Sequence, residues 1–367
     1  MRTVQAAFER NGENRDPHSS QAMKNQWPKT AAFWLVLAAI PIATFIVGLG
    51  WISYWSVRSF PIRIEGGSSI SYDPEMGFVP TPNSSTQRTD NPTLSYHIYT
   101  DRRGARVSHP GDQSAGKLDT LFIGDSFTWG AGLEAEDTYA ALVAQRLHLI
   151  SANLAMASYG TTQALQMLRR NLDTRPRTVI YPVIIDHWRR NVSACAPAYY
   201  PFCLDTSYVS LDANGSPGIR PPKTNGVRRA DLQIQYERKG LAPVQWVVHG
   251  IDVTRGRILL RAANATAADL HLQAAAMDFL LSEMTKTTQA IGASLVVVFI
   301  PGRDQMLPAP AQVPQLSQRL GFRFLDVTQS IRANRAPADL YLPDGHPNKA
   351  GDALIAEDIV NFLSNQK

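Results

Sequence analysis

Between Lys29 and Arg58 lie 28 consecutive positions without a charged side chain, and no other stretch constrains the chain as much. Within that run residues 31–55 are strongly apolar, and about 20 such residues suffice to cross a bilayer as a helix. Pro41 would kink the helix without forbidding it. Trp51, Tyr54 and Trp55 stand at its far end, where aromatic side chains settle at a membrane interface. Arg2, Arg10, Arg15, Lys24 and Lys29 precede the run, against Arg58 and Arg63 just after it. The positive-inside rule then makes residues 1–30 a cytoplasmic tail and exports everything beyond the helix. A cleaved signal peptide fits less well, because the run is too long and no small-x-small site succeeds it. The expectation is a single-pass protein of the inner (cytoplasmic) membrane, its C-terminal domain periplasmic or extracellular.

Residues 56–116 are rich in Pro, Ser, Thr, Asn and Gly, with short alternating pieces such as Ser95-Tyr96-His97-Ile98-Tyr99. They read as an extended strand-and-turn preface packed on the main domain. From 117 to 367 strand and helix patterns alternate, which argues for an α/β domain with a parallel sheet covered on both faces. Helices are expected from Asp137 or Thr138 to Leu149, then over 162–172, 267–290 and 349–363. Strands are expected over 150–156, 178–185, 294–300 and 322–327. Pro182 lies inside the second of these, which suggests a bulge or an edge position.

Residues 193–262 break the alternation. An insertion there would lie near the strand ends, where open α/β sheets bind ligands, as a substrate-shaping cap or as a decorated loop. It contains both cysteines, Cys195 and Cys203. A disulfide suits an exported domain; two free thiols are the alternative. A metal site would need further soft ligands, which the neighbouring residues do not supply.

The candidate chemistry begins at Leu121-Phe122-Ile123-Gly124-Asp125-Ser126. A short apolar strand breaks into Gly-Asp-Ser, which lifts a serine from the end of a sheet. Near the other end comes Pro343-Asp344-Gly345-His346-Pro347, where the prolines disfavour a helix. In a non-helical chain residues two apart point the same way, so Asp344 can orient His346. A serine hydroxyl needs such a base to become a nucleophile.

On these two motifs, in this order, the chain resembles the SGNH/GDSL hydrolases from about Asp119 to its C-terminus. The resemblance implies a three-layer, flavodoxin-like fold. Ser126 would be the nucleophile, His346 the base and then acid, and Asp344 its orienting partner. The oxyanion hole would use the Ser126 N–H, a donor after the next strand and a third after the strand beyond. This sequence departs from the family at the last two. Ser158 or Gly160 stands where a glycine is usual, and Ile185-Asp186-His187-Trp188-Arg189-Arg190-Asn191 replaces the usual Gly-x-Asn-Asp. Asn191 and His187 are the candidates for the third donor; a structural role is the alternative for both. The phrases Tyr72-Asp73-Pro74-Glu75-Met76-Gly77-Phe78 and Asp101-Arg102-Arg103-Gly104-Ala105-Arg106 look like the lead-in of membrane-anchored members. They suggest no chemistry.

An ester is therefore the implied substrate, and location suggests O-acyl, foremost acetyl, groups on a cell-envelope or exported polysaccharide. Water or a sugar hydroxyl could take the acyl group. An O-acyltransferase would need a multi-pass membrane partner as acyl donor, as in a polysaccharide-synthesis complex. A non-catalytic scaffold or glycan-binding subunit is the reading from another class. The net charge of +5 comes without a dense basic tract, which speaks against nucleic acid as a partner. Metal-binding and phosphate-cradling motifs are absent from the sequence, and no cofactor is expected.

Overall fold

The computed structural model describes residues 27–58, 62–66, 69–90, 94–197, 203–222, 267–304 and 306–365. The tail expected over 1–30 and the centre of the insertion fall largely outside them. Helix α1 (Trp27–Arg58) is 32 residues long and contains Pro41. Its side chains from 32 to 47 are all exposed, including Phe33, Trp34, Leu35, Val36, Ile40, Phe45 and Val47. Among the described residues no helix is long and apolar enough to cross a membrane. The uncharged run itself continues past position 48 into residues whose side chains lie mostly outside the description.

The preface forms β1 (Ile62–Gly66), β2 (Ile70–Asp73), β3 (Gly77–Pro80), β4 (Ser85–Asp90), β5 (Ser95–Thr100) and β6 (Arg106–Val107). The first catalytic-domain strand, β7 (Thr120–Phe122), leads into the one-turn helix α2 (Ser126–Trp129) and then α3 (Tyr139–Leu147). Next come β8 (Ser151–Asn153), α4 (Thr161–Arg170), β9 (Thr178–Val183) and α5 (His187–Val192). The insertion supplies two hairpins, β10 (Cys195–Pro197) with β11 (Cys203–Asp205) and β12 (Tyr208–Leu211) with β13 (Pro217–Arg220). The chain closes with α6 (Ala267–Ala290), β14 (Ser294–Phe299), α7 (Gln312–Leu320), β15 (Arg323–Asp326), α8 (Thr328–Ala333) and α9 (Lys349–Ser364).

One sheet of nine described strands runs β1-β4-β5-β6-β8-β7-β9-β14-β15. Its last five strands are parallel and, numbered within the catalytic domain, take the order 2-1-3-4-5 of doubly wound folds. The sheet expected to be parallel is thus mixed. The preface does not merely pack on it; β1, β4, β5 and β6 extend it antiparallel, joined through the single pair Arg106–Asn153.

Strand alternation explains why both faces carry helices. Val179, Tyr181 and Val183 of β9, with Leu295, Val297 and Phe299 of β14, share one core with α4, α6 and α7. Ile180, Val296 and Val298 share the other with Tyr139 and Val143 of α3 and Ile355 and Ile359 of α9. Burying each such side chain contributes about 1.5–3 kcal/mol, so a strand with no polar face is stable only between two helical layers.

Pro182 is neither in a bulge nor at an edge, since β9 lies between β7 and β14. The reason is that β7 pairs with β9 only as far as Phe122 with Ile180. Beyond that pair the ladder to β7 has ended, and Gly124 packs against the Pro182 ring instead of pairing with it. Gly124 is required by the same crowding. A Cβ there would lie 2.4 Å from Thr128 Oγ1 and 3.1 Å from Pro182 Cγ.

The two lead-in phrases are docking elements. Asp73 accepts from the backbone N–H groups of Glu75 and Met76 and pairs with Arg170 of α4 at 2.6 and 2.9 Å. Asp101 ties its own loop through Arg103, Ala105 and Ser114 N–H groups, and Arg103 pairs with Asp173 at 2.6 Å. In the insertion, Cys195 pairs across the hairpin with Asp205 and Cys203 with Pro197. The cysteine side chains lie outside the described ones, so the disulfide expectation falls there too.

Candidate active site

The nucleophile motif sits at the C-terminal end of β7, between β8 and β9, where strand order reverses. Ligands bind at such switch points. Asp125 caps α2, its Oδ1 accepting from Phe127 N at 3.0 Å, and Ser126 is the first helical residue. An opening turn leaves its N–H groups without intrahelical acceptors, so the Ser126 N–H is free of that demand.

The Asp344–His346 pair sits in a tight turn just before α9. Leu342 N donates to His346 O at 2.7 Å and Gly345 N to Leu342 O at 3.0 Å; Gly345 takes φ +91°, which glycine accepts without steric cost. Asn348 then caps α9 by accepting from Ala350 N and Gly351 N. The turn brings Asp344 Oδ2 to 3.0 Å from His346 Nδ1, and Asp344 Oδ1 accepts from His346 N at 3.2 Å. On its other side His346 Nε2 stands 2.9 Å from Ser126 Oγ. A neutral imidazole with its proton on Nδ1 donates to the carboxylate and accepts from the serine, the arrangement of a nucleophile–base–acid triad. The expected residues Ser126, Asp344 and His346 thus meet as a serine-hydrolase triad at the switch point of a doubly wound sheet.

Burial keeps the base unprotonated. His346 is 4% exposed, and desolvation, reinforced by the charges of Arg190 and Arg88 and opposed by Asp125, draws it down to about 3. The motif carboxylate Asp125 has another task. Burial pushes its carboxyl up, but His187, Arg190 and the Phe127 N–H outweigh that and hold it below the ordinary value. His187 Nε2 lies 3.2 Å from Asp125 Oδ2, off the line of a good hydrogen bond, and Arg190 Nη1 lies at 3.3 Å.

Around the serine is a cleft of about 440 Å³ lined by Phe127, Ser158, Ile184, Ile185, Asp186, Arg189, Arg190, Arg303 and Asp304 beside the triad. None of the described residues of the insertion lines it. Their hairpins pack instead on β3 and on α4 to α6, with Gln163 Nε2 donating to Ser207 O and Ser207 N to Met76 O. The described part of the insertion is thus no cap.

Of the expected oxyanion donors, Ser126 and Ser158 stand at the cleft. Ser158 takes φ +69°, the left-handed conformation for which glycine is the easiest occupant. The other three are placed elsewhere. Gly160 N donates to Gln163 Oε1 at 2.9 Å, inside the cap of α4. Asn191 is fully buried, its Oδ1 accepting from Thr161 N at 2.8 Å and its Nδ2 donating to Thr161 Oγ1 at 2.9 Å. His187 is equally buried, between Asp125 and the Tyr181 hydroxyl 2.8 Å from its Nδ1. These residues support the site from behind. His187 and Asn191 both lie on the helix α5, on which residues four apart share a face. His187 and Asn191 therefore turn inward together, while Asp186 and Arg190 turn to the cleft. Arg190 also donates to Tyr159 O at 3.0 Å.

No family model and no curated protein matches the chain. Similar solved structures include a psychrotrophic esterase from Pseudoalteromonas sp., at 15% identity and TM-score 0.36, covering 67% of this chain and 97% of that one. A catalytic mutant of an acetylxylan esterase from Geobacillus stearothermophilus matches at 12% identity and TM-score 0.37, covering 68% and 95%. A two-domain esterase active on acetylated mannans matches at 14% identity and TM-score 0.39, covering 69% of this chain and 50% of that one. Likeness of this size assigns no residue, and the site rests on its own geometry.

Proposed function

We propose that the chain is a membrane-anchored serine esterase that removes O-acyl groups, foremost acetyl, from a cell-envelope or exported polysaccharide. One observation carries the reading: Ser126 Oγ, His346 and Asp344 form a continuous chain of contacts at 2.9 and 3.0 Å. Ser126 attacks the ester carbonyl while His346 Nε2 takes its proton. The oxyanion forms beside the Ser126 N–H and the Ser158 backbone, where fixed donors lower the barrier most. Collapse breaks the bond to the sugar oxygen, which leaves with the proton from His346. Water, deprotonated by the same imidazole, then releases the acid and restores Ser126.

Support for a sugar ester comes from the cleft. Asp186, Arg189, Arg190, Arg303 and Asp304 line it against three large apolar side chains, a wall suited to hydroxyl groups and ill suited to a long acyl chain. Support for the anchor comes from the uncharged run and from the exposed apolar side chains of α1. At 1.5 Å per residue, α1 would be about 48 Å long, more than a bilayer's hydrocarbon core of about 30 Å. An alkaline phosphatase fused after Tyr54 should be active in the periplasm; an inactive fusion would put the catalytic domain in the cytoplasm.

The deciding assay uses the full-length protein in detergent with p-nitrophenyl acetate. Ser126→Ala and His346→Ala should each lower kcat at least about 10³-fold. Hydrolysis that survives in Ser126→Ala would end the serine reading. Acyl groups recovered on an added sugar acceptor, in preference to acetate, would make the protein an O-acyltransferase.

A further inference from the structure

The helix that carries Ser126 is a single turn, and a single turn has no stability of its own. Its last carbonyls have no intrahelical partners, and they are buried, so something else must take them up. Asn153 Nδ2 donates to Thr128 O at 2.6 Å. Arg106 does the rest. Its Nη1 donates to Trp129 O at 2.5 Å and to Gly130 O at 2.6 Å, and its Nη2 to Leu133 O and, at 3.1 Å, to His97 O.

The connection to the nucleophile is short. Gly130 N donates to Ser126 O at 3.0 Å, and the carbonyl of the same Gly130 is held by Arg106. Arg106 and Asn153 are opposite each other in the one pair joining β6 to β8. Both hooks on the turn therefore leave the sheet at one point. The guanidinium is buried, 5.4 Å from the Trp129 ring centre and 5.8 Å from that of Tyr96. All four of its hydrogen-bond acceptors are carbonyls. A buried charge held this way is costly to place and matches the fork of arginine, which spreads donors over two directions as lysine cannot.

We propose that Arg106 is a positioning residue for the nucleophile: by clamping the carbonyls at the far end of the Ser126 turn, it keeps Ser126 Oγ in line with His346. The antiparallel strands before the parallel sheet are then part of the catalytic unit. The inference rests on the serine reading above. Neighbouring contacts agree with it. His97 N on β5 donates to Glu134 at 3.1 Å, and a Cβ on Gly132 would lie 2.4 Å from Leu342 and 3.2 Å from Leu94. The preface thus also touches the loop that follows the nucleophile, and that loop in turn packs on Leu342, two residues before Asp344.

The test measures the full-length protein in detergent, with the rate at which a fluorophosphonate labels Ser126 as a readout beside kcat, KM and the thermal midpoint. Misplacing a reacting group by about 1 Å can cost about 10²-fold. Arg106→Lys should lower both kcat and the labelling rate about 10²-fold, with KM held within about twofold. In Arg106→Ala, millimolar methylguanidinium should restore part of the labelling rate, which a general loss of fold would not allow. A folded Arg106→Lys that is labelled at the wild-type rate overturns the proposal and leaves the serine reading intact. A wild type labelled no faster than Ser126→Ala overturns both. Should Arg106→Lys show no cooperative melting, Asn153→Ala decides, since on this turn it frees the Thr128 carbonyl alone and elsewhere gives up one contact, from Ala155 N. Slowed labelling there supports the clamp, and a wild-type rate overturns it.

Discussion

Asp125→Asn isolates the charge buried behind the nucleophile. Asparagine caps a helix about as well as aspartate, so the hydrogen bond from Phe127 N survives while the negative charge is lost. Arg190, whose side chain is 11% exposed, then keeps only Asp186, 3.5 Å away, and the Tyr159 carbonyl. Breaking a buried pair by removing one partner costs about 3–5 kcal/mol. The contact to Asp186 places this case at the lower end, about 3 kcal/mol. For a domain of this size 1 kcal/mol shifts Tm by about 2–4 °C, so Asp125→Asn should melt roughly 6–12 °C below wild type. Asp125→Ala also loses the cap and should fall a further 2–4 °C or so. The sign with pH comes from a carboxyl held below its unfolded value. Its stabilisation is complete above the unfolded carboxylate pKa and is lost as pH falls through the folded one. The gap between wild type and Asp125→Asn should therefore be constant from about pH 5 to 8 and close in acid. Scanning calorimetry at fixed scan rate measures it. An Asp125→Asn midpoint within 2 °C or so of wild type, or one equal to Asp125→Ala, would refute the counter-charge role.

The pH–rate profile tests the buried base. Because the active form of His346 is neutral and its pKa is drawn down to about 3, kcat/KM should stay level as pH falls through the ordinary histidine value near 6.5. An acid limb with its midpoint at or above that value contradicts the burial argument. Asp344→Asn should lower kcat by about 10²–10³-fold with little change in KM, less than the roughly 10⁴-fold of a fully buried triad acid. The reason is that Asp344 is 37% exposed, so water can partly replace it. Equal kcat in the two proteins would remove Asp344 from the mechanism.

The legible parts of this site are local or chemical. Asp344 and His346 are two residues apart in a turn, so their pairing needs no knowledge of the fold. Ser126 and His346 are 220 positions apart, and only the need of a serine for a base connects them. Helices 267–290 and 349–363 are readable from periodicity because each lies against a strand buried on both faces. The hidden parts depend on context. The spacing of His187 and Asn191 says inward or outward only once 187–192 is known to be helical, and the prolines and charges nearby give no such sign. Arg106 is likewise invisible: its strand has two residues, its partners are carbonyls, and carbonyls carry no sequence signature. Pro182 misleads for a similar reason, since the end of β7 that excuses it belongs to another segment.

The unbroken sheet also sets a working distance. β1 begins four residues after α1 ends and stands five strand positions from β7. At about 4.8 Å per strand the sheet spans about 24 Å between them, and the link from α1 adds at most about 14 Å. If α1 is the anchor, the serine is leashed within about 40 Å of the bilayer surface. Under the proposed function, a polymer would then be edited as it emerges, not after it has drifted away.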